Sequence, residues 1–301
     1  MKRTIYKNIC AIVLFAFFSI FANAQVNNLS NDNADFYHLS QRWELDSSTK
    51  RGTFLLTPYR PIYILPGRWS SNPNESPVDE NPNYVYPFKA PLDKYEAKFQ
   101  LSFKTKILQG IFWNHGDLWV AYTQRSHWQI YNKLLSRPFR ETNYEPELIL
   151  NFATNYNLLG FKARMAGLSF THQSNGRAIP LSRSWNRVIG HMGFEKKNWS
   201  VFLRGWYRLK DEEDENPAIA DYLGRGDVQV VHFVGKNIFS LRGAHSLRTG
   251  NNNHGLLQFD WTFPVVKNLK GHFQLMDGYG ETLIDYNHRQ TIIGIGVSLL
   301  Q

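Results

Sequence analysis

Tyr95-Glu96-Ala97-Lys98-Phe99-Gln100-Leu101-Ser102-Phe103-Lys104-Thr105-Lys106-Ile107 alternates without a break between apolar or neutral and charged or polar side chains. A period of two puts Tyr95, Phe99, Leu101, Phe103 and Ile107 on one face of a strand and Glu96, Lys98, Gln100, Lys104 and Lys106 on the other. Strands of soluble proteins usually run about 5–6 residues, whereas a tilted membrane-spanning strand needs about 9–11. This stretch is long enough to span a bilayer as a strand with one greasy and one wet face.

The same pattern recurs on both sides of it. Leu118, Val120, Tyr122, Trp128 and Ile130 make one apolar stripe, and Leu148, Leu150 and Phe152 another. Trp199, Val201, Leu203, Tyr207 and Leu209 oppose Ser200, Arg204 and Arg208, while Ile293, Ile295, Val297 and Leu299 close the chain. Twelve such segments are expected, near 52–65, 95–107, 117–131, 146–156, 159–173, 185–195, 198–209, 223–234, 238–247, 255–264, 269–277 and 290–300. An even number suits antiparallel closure, and the connections alternate between long polar stretches, such as 66–94 and the acidic run Asp211–Glu215, and short turns such as Lys196-Lys197. The fold class read from this is all-β, a twelve-stranded antiparallel transmembrane β-barrel of the bacterial outer membrane. Composition agrees: after residue 24 no apolar run is long enough for a spanning helix, mean hydropathy is −0.41, and 15% of residues are aromatic, which suits two interfacial girdles. A soluble sandwich or lipocalin-like barrel would have to close so many long two-faced strands over one dry core.

The chain starts with Lys2, Arg3 and Lys7, an apolar run from Ile9 to Phe21, and Ala22-Asn23-Ala24, the layout of a secretory signal peptide over residues 1–24. The lone Cys10 lies inside it, so the mature chain has neither disulfide nor thiolate metal site. Losing three basic residues takes the net charge from +9 to +6, with Lys and Arg interleaved along strands rather than clustered, which does not describe a nucleic-acid surface. Residues 25–50, rich in Asn, Asp and Ser, are expected to form an N-terminal arm or plug ahead of a barrel over 51–301.

One place breaks the lipid-facing pattern. Ala166, Leu168, Phe170, His172 and Ser174 share a face, as do Asn186, Val188, Gly190, Met192 and Phe194 on the next segment. Paired as a hairpin, these strands put His172, Ser174 and Asn186 together on the outer surface, where polar groups are costly without a role. A serine nucleophile needs a base, and the base needs a group that fixes its tautomer; these three residues supply those parts. The intervening turn offers backbone N–H groups for an oxyanion, with Gly176 the natural candidate because a glycine lets the backbone approach substrate closely.

His172-Gln173-Ser174-Asn175-Gly176-Arg177 followed by Ser182-Arg183-Ser184-Trp185-Asn186-Arg187 closely resembles the active-site signature of the outer-membrane phospholipase A family. The likeness extends to Tyr122-Thr123-Gln124, to Pro138-Phe139-Arg140-Glu141-Thr142-Asn143-Tyr144-Glu145-Pro146, to Gly278-Tyr279-Gly280-Glu281 and to Leu283-Ile284-Asp285-Tyr286-Asn287. The resemblance implies a calcium-dependent hydrolase of phospholipid acyl esters, active as a homodimer formed side by side in the bilayer. It makes Ser174 the nucleophile, His172 the base and Asn186 its orienter. It places calcium at Arg177 and Ser182 with Ser136 reaching in from a second copy, and Gln124 in the dimer interface. Ile179 and Glu215 stand where the family pattern usually carries aspartates of an additional calcium site. The alternative is a catalytically silent barrel, porin-like or adhesin-like, whose mark would be an open, water-filled lumen.

Overall fold

The computed structural model describes residues 38–267 and 269–300; the expected signal peptide and the first part of the arm lie outside them. Twelve long strands run in chain order: β1 Ile62–Ser70, β2 Tyr95–Leu108, β3 Asp117–Trp128, β4 Glu141–Leu158, β5 Phe161–Ser174, β6 Ser184–Lys196, β7 Trp199–Leu209, β8 Gly226–Val234, β9 Asn237–His245, β10 Gly255–Val266, β11 Leu269–Gly278 and β12 Gln290–Leu300. Each pairs antiparallel with its neighbours in sequence, and β12 pairs with β1, Ile293 opposite Trp69 and Val297 opposite Ile64, so the sheet closes on itself. The alternation seen in residues 95–107 is the alternation of the wall. Glu96, Lys98, Gln100, Ser102, Lys104 and Lys106 point inward and are buried, whereas Tyr95 and Leu101 face out.

The first strand does not lie where the sequence placed it. The expected segment 52–65 is replaced by Ile62–Ser70, and ahead of it only Thr57–Pro58 pairs with β2, opposite Lys104 and Phe103. Tyr59 and Arg60 turn into the lumen, where Arg60 bridges Glu145 at 2.8 Å and Glu147 at 2.6 Å. Pro66-Gly67 sits inside the true strand and disguises it as a turn. The pairing slips there on both sides, between Leu65 and Arg68 against β2 and between Ile64 and Gly67 against β12, and such bulges are where a strand tolerates a proline that has no N–H to donate.

The lumen is filled rather than open. The short helix α1 (Leu39–Trp43) packs Leu39 and Trp43 against the inward-facing Trp119, Ala121, Ile149 and Met165 near the short-turn end. At the long-loop end a second short helix, α2 (Ile219–Leu223), packs with Leu283 and Tyr286 of the β11–β12 loop against Trp185, Ile189 and Trp206. Between these lies a cavity of about 210 Å³ lined by Arg60, Glu145, Glu147, Arg187 and Arg204. A buried charge left alone costs several kcal/mol, so each needs a partner. Lys98 meets Glu281 at 2.8 Å, Lys106 sits between Glu44 at 2.8 Å and Asp117 at 2.9 Å, and Asp227 holds both Arg204 and Arg242. Lys104 forms no ion pair among the described residues; its ammonium lies 3.9 Å from the centre of the Trp43 ring and donates to the Arg42 carbonyl. The silent-porin alternative called for an open channel, and this interior is plugged.

Candidate active site

The parity of β5 and β6 carries His172, Ser174 and Asn186 to the outer surface at the long-loop rim, just beyond the exposed Leu168 and Phe170. His172 stands directly opposite Asn186 in the β5–β6 register, and His172 Nδ1 lies 2.8 Å from Asn186 Oδ1. Ser174 ends β5, flanked by Ser184 on β6 and by Tyr144 on β4. The amide nitrogen of Asn186 reaches both carboxylate oxygens of Asp211, at 3.3 Å each, just past the end of β7. Nothing in the sequence pattern had picked out Asp211, since it opens an acidic loop without periodicity.

The turn after Ser174 is built around Asn175, which sequence reasoning also passed over. Its Oδ1 accepts from Arg183 N at 2.9 Å and from Arg177 N at 3.3 Å, and its Nδ2 donates to the Leu181 carbonyl at 2.8 Å. One buried amide thus closes the loop between β5 and β6. Gly176 has φ of +64°, the left-handed region that favours glycine, and a Cβ there would press on the Tyr144 ring at 3.3 Å. Below the site, on the lumen side, Gln173 Oε1 accepts from Trp185 Nε1 at 2.8 Å and from Arg187 at 3.2 Å, tying β5 to β6 under the outward face that carries His172, Ser174 and Asn186.

The remaining sequence candidates fall into separate places. Ser182 Oγ donates to Glu215 Oε1 at 2.8 Å, while Glu215 Oε2 is buried without a hydrogen-bond partner among the described residues. Arg177 turns its guanidinium away to the Arg140 carbonyl. Ser136 sits apart in the β3–β4 connection, its carbonyl accepting from Trp128 Nε1 at 2.7 Å. Gln124 faces outward as expected, but its hydrogen bonds are not left open. Tyr122 OH donates to it at 2.9 Å and it donates to Ser126 Oγ at 3.1 Å, which leaves one N–H and one lone pair to spare. Ile179 is exposed and offers no ligand.

The stretch at residues 278–287 has a structural task that sequence reading did not give it. Glu281 meets Lys98 in the lumen, Leu283 N donates to Asn143 Oδ1 at 2.9 Å, and Asp285 takes Arg140 at 3.1 Å. Tyr286 OH donates to Asp79 at 2.9 Å, and Asp79 also faces Arg183 at 3.2 Å. Where this loop meets the β1–β2 connection, burial holds the Tyr286 phenol well above its usual range and raises the Asp79 carboxyl, with the Asn81 N–H and the Arg183 cation working against the latter.

The family profile described as phospholipase A1 matches residues 39–299. The phospholipase A1 of Klebsiella pneumoniae is 38% identical over 246 residues, covering 82% of each chain. The crystal structure of a Salmonella typhi outer membrane phospholipase dimer with bound calcium superposes with a TM-score of 0.74 at 36% identity, covering 83% of this chain and 94% of that one. An asparagine-to-alanine active-site mutant of the Escherichia coli outer membrane phospholipase A gives the same TM-score at 35% identity, covering 83% and 93%. A closed twelve-stranded barrel, a plugged lumen and a likeness that runs almost from end to end lead to one conclusion: the chain belongs to the phospholipase A1 family and is an outer-membrane barrel that hydrolyses phospholipids.

Proposed function

We propose that the hydrolysis proceeds by attack of Ser174 Oγ on the acyl ester carbonyl, with His172 as general base and Asn186 as its orienter. The 2.8 Å contact between His172 Nδ1 and Asn186 Oδ1 carries the reading. An amide oxygen can only accept, so Nδ1 keeps its proton and Nε2 is left with the lone pair that removes the serine proton. As the tetrahedral intermediate forms, the Gly176 N–H donates to the oxyanion, and the protonated His172 then returns its proton to the departing alcohol. A site on the lipid-facing rim draws substrate from the membrane itself. The known active-site asparagine of the Escherichia coli relative supports the role of Asn186.

Calcium is the cofactor on this reading, and the donor set fits it. Ser182 and Glu215 form an oxygen pair with one buried carboxylate oxygen unpartnered, the environment a hard cation completes. Among the described residues there is no group of three His, Cys, Asp or Glu that would suit another metal. Arg177 can contribute only its backbone carbonyl, and Ser136 would come from a second copy of the chain, which makes the active form a homodimer, as the calcium-bound Salmonella relative is. When bound, calcium supplies positive charge against the negative charge that develops on the carbonyl oxygen. Gln124 has a donor and an acceptor to offer across such an interface. The N-terminal 24 residues act as the export signal, and residues 25–50 as an arm leading into the barrel. The test is phospholipid hydrolysis in detergent micelles, with and without calcium, by the wild type and Ser174→Ala. Turnover should vanish in the variant and in chelator; turnover by a folded Ser174→Ala barrel would refute the mechanism.

A further inference from the structure

The third member of the proposed triad is an amide, and an amide has a weakness that a carboxylate lacks. Turned by 180° about its last bond, Asn186 would offer its NH₂ to His172 Nδ1 in place of its oxygen. The imidazole would then settle with the proton on Nε2, and a ring in that tautomer cannot take a proton from Ser174. Something must hold the amide the right way round. His172 cannot do so itself, because either of its ring nitrogens can donate or accept.

The acceptor-only group at the other end of Asn186 is Asp211, whose two carboxylate oxygens each lie 3.3 Å from Asn186 Nδ2. Asp211 is exposed, but its loop is pinned on both sides. Leu209 is in register with Asn186, Arg208 bonds Asp214 and the Pro217 carbonyl, and Asn216 Oδ1 accepts from Ser184 N at 3.1 Å. Ser182 holds Glu215. Resting on the proposed Ser174–His172–Asn186 mechanism, we infer that Asp211 is a positioning residue of the active site: its carboxylate fixes the orientation of the Asn186 amide and thereby selects the His172 tautomer that serves as base. The chain Asp211–Asn186–His172 restores a carboxylate to the site one residue further out, where it acts through the amide it orients.

The experiment is a set of kinetic cycles at saturating calcium, with Asp211→Ala made in the wild type, in Asn186→Ala and in Asn186→Asp. In the wild-type background kcat should fall about tenfold, which is ~1.4 kcal/mol, with KM and the calcium half-saturation unchanged. In Asn186→Ala there is no amide left to orient, so Asp211→Ala should cost nothing more. In Asn186→Asp the third residue is acceptor-only whichever way it turns, so loss of Asp211 should leave kcat unchanged or raise it by removing a like charge. An equal loss in all three backgrounds would mean that Asp211 merely supports the loop, and a loss recovered by more calcium would make it a metal ligand; either overturns the inference. An unchanged kcat in the wild-type background overturns it too. Activity surviving in Ser174→Ala would instead refute the triad beneath it, so the two failures are distinguishable.

Discussion

Glu96 stands at the centre of the densest polar knot in the lumen, and replacing it with glutamine tests whether that knot holds the barrel together. Its side chain has no exposed surface and receives Arg140 at 2.9 and 3.1 Å, Arg68 at 2.9 Å, Gln129 at 3.0 Å and His127 at 3.1 Å. Glu96→Gln keeps one acceptor and pushes an NH₂ among these donors. Arg140 still has Asp285 at 3.1 Å, whereas among the described residues the only other carboxylate near Arg68 is Glu281 at 3.8 Å. The orphan is therefore Arg68, which is almost wholly buried. Breaking a buried pair by removing one partner costs about 3–5 kcal/mol, roughly a 150- to 5,000-fold change in the unfolding constant. The assay is urea unfolding in phospholipid vesicles followed by tryptophan fluorescence, with the compact barrel checked by heat-modifiable gel migration. Adding Arg68→Met removes the stranded cation as well, so the double variant should recover at least half of the loss. A double variant no more stable than Glu96→Gln alone would refute the argument that charge pairing, rather than shape, is what Glu96 contributes.

His172→Ala should abolish ester hydrolysis without loss of the folded barrel, and Asn186→Ala should be milder because it transfers no proton; equal and complete loss in both would contradict that division of roles. Ser182→Ala and Glu215→Gln should each raise the calcium concentration needed for half-maximal turnover several-fold, and excess chelator should stop the wild type; an unchanged calcium titration would exclude this oxygen pair from the site. Gln124→Ala should weaken calcium-induced association in analytical ultracentrifugation, and because association and calcium binding favour each other it should also raise the calcium requirement. Since Gln124 is already bonded to Tyr122 and Ser126 within one chain, the expected loss is that of a single net hydrogen bond, about 0.5–1.5 kcal/mol. Sedimentation indifferent to calcium would show that association and metal binding are uncoupled.

Strand count and facing were legible in the sequence because a barrel wall has a period of two and nothing interrupts it in most strands. Where the wall bulges at Pro66-Gly67, the period fails, and the expected first strand starts ten residues and ends five residues too early. The common facing of the proposed triad was legible for the same reason, since His172, Ser174 and Asn186 share the outward parity of Leu168 and Val188. Partners across the lumen were not. Parity says that Lys98 points inward but not that it meets Glu281, because that meeting depends on barrel circumference and on a loop folding back into the mouth. Asn175 and Asp211 were missed because both act from turns, where position is set by hydrogen bonds rather than by a repeat.

The closing seam has a consequence for assembly. Lys98 on β2 bonds both Glu281 and Gln274, the latter on β11, so it reaches over the two strands, β1 and β12, whose pairing completes the cylinder. Those strands come from opposite ends of the folded chain, and their union is the longest-range contact it makes, the slowest kind to form. Until it forms, two strand edges stand unpaired in hydrocarbon, where no water can satisfy them, and a lysine and a glutamate wait beside them uncompensated. Neutralising the charge and sealing the edge are one event, so the nascent barrel has no comfortable resting point short of the complete ring.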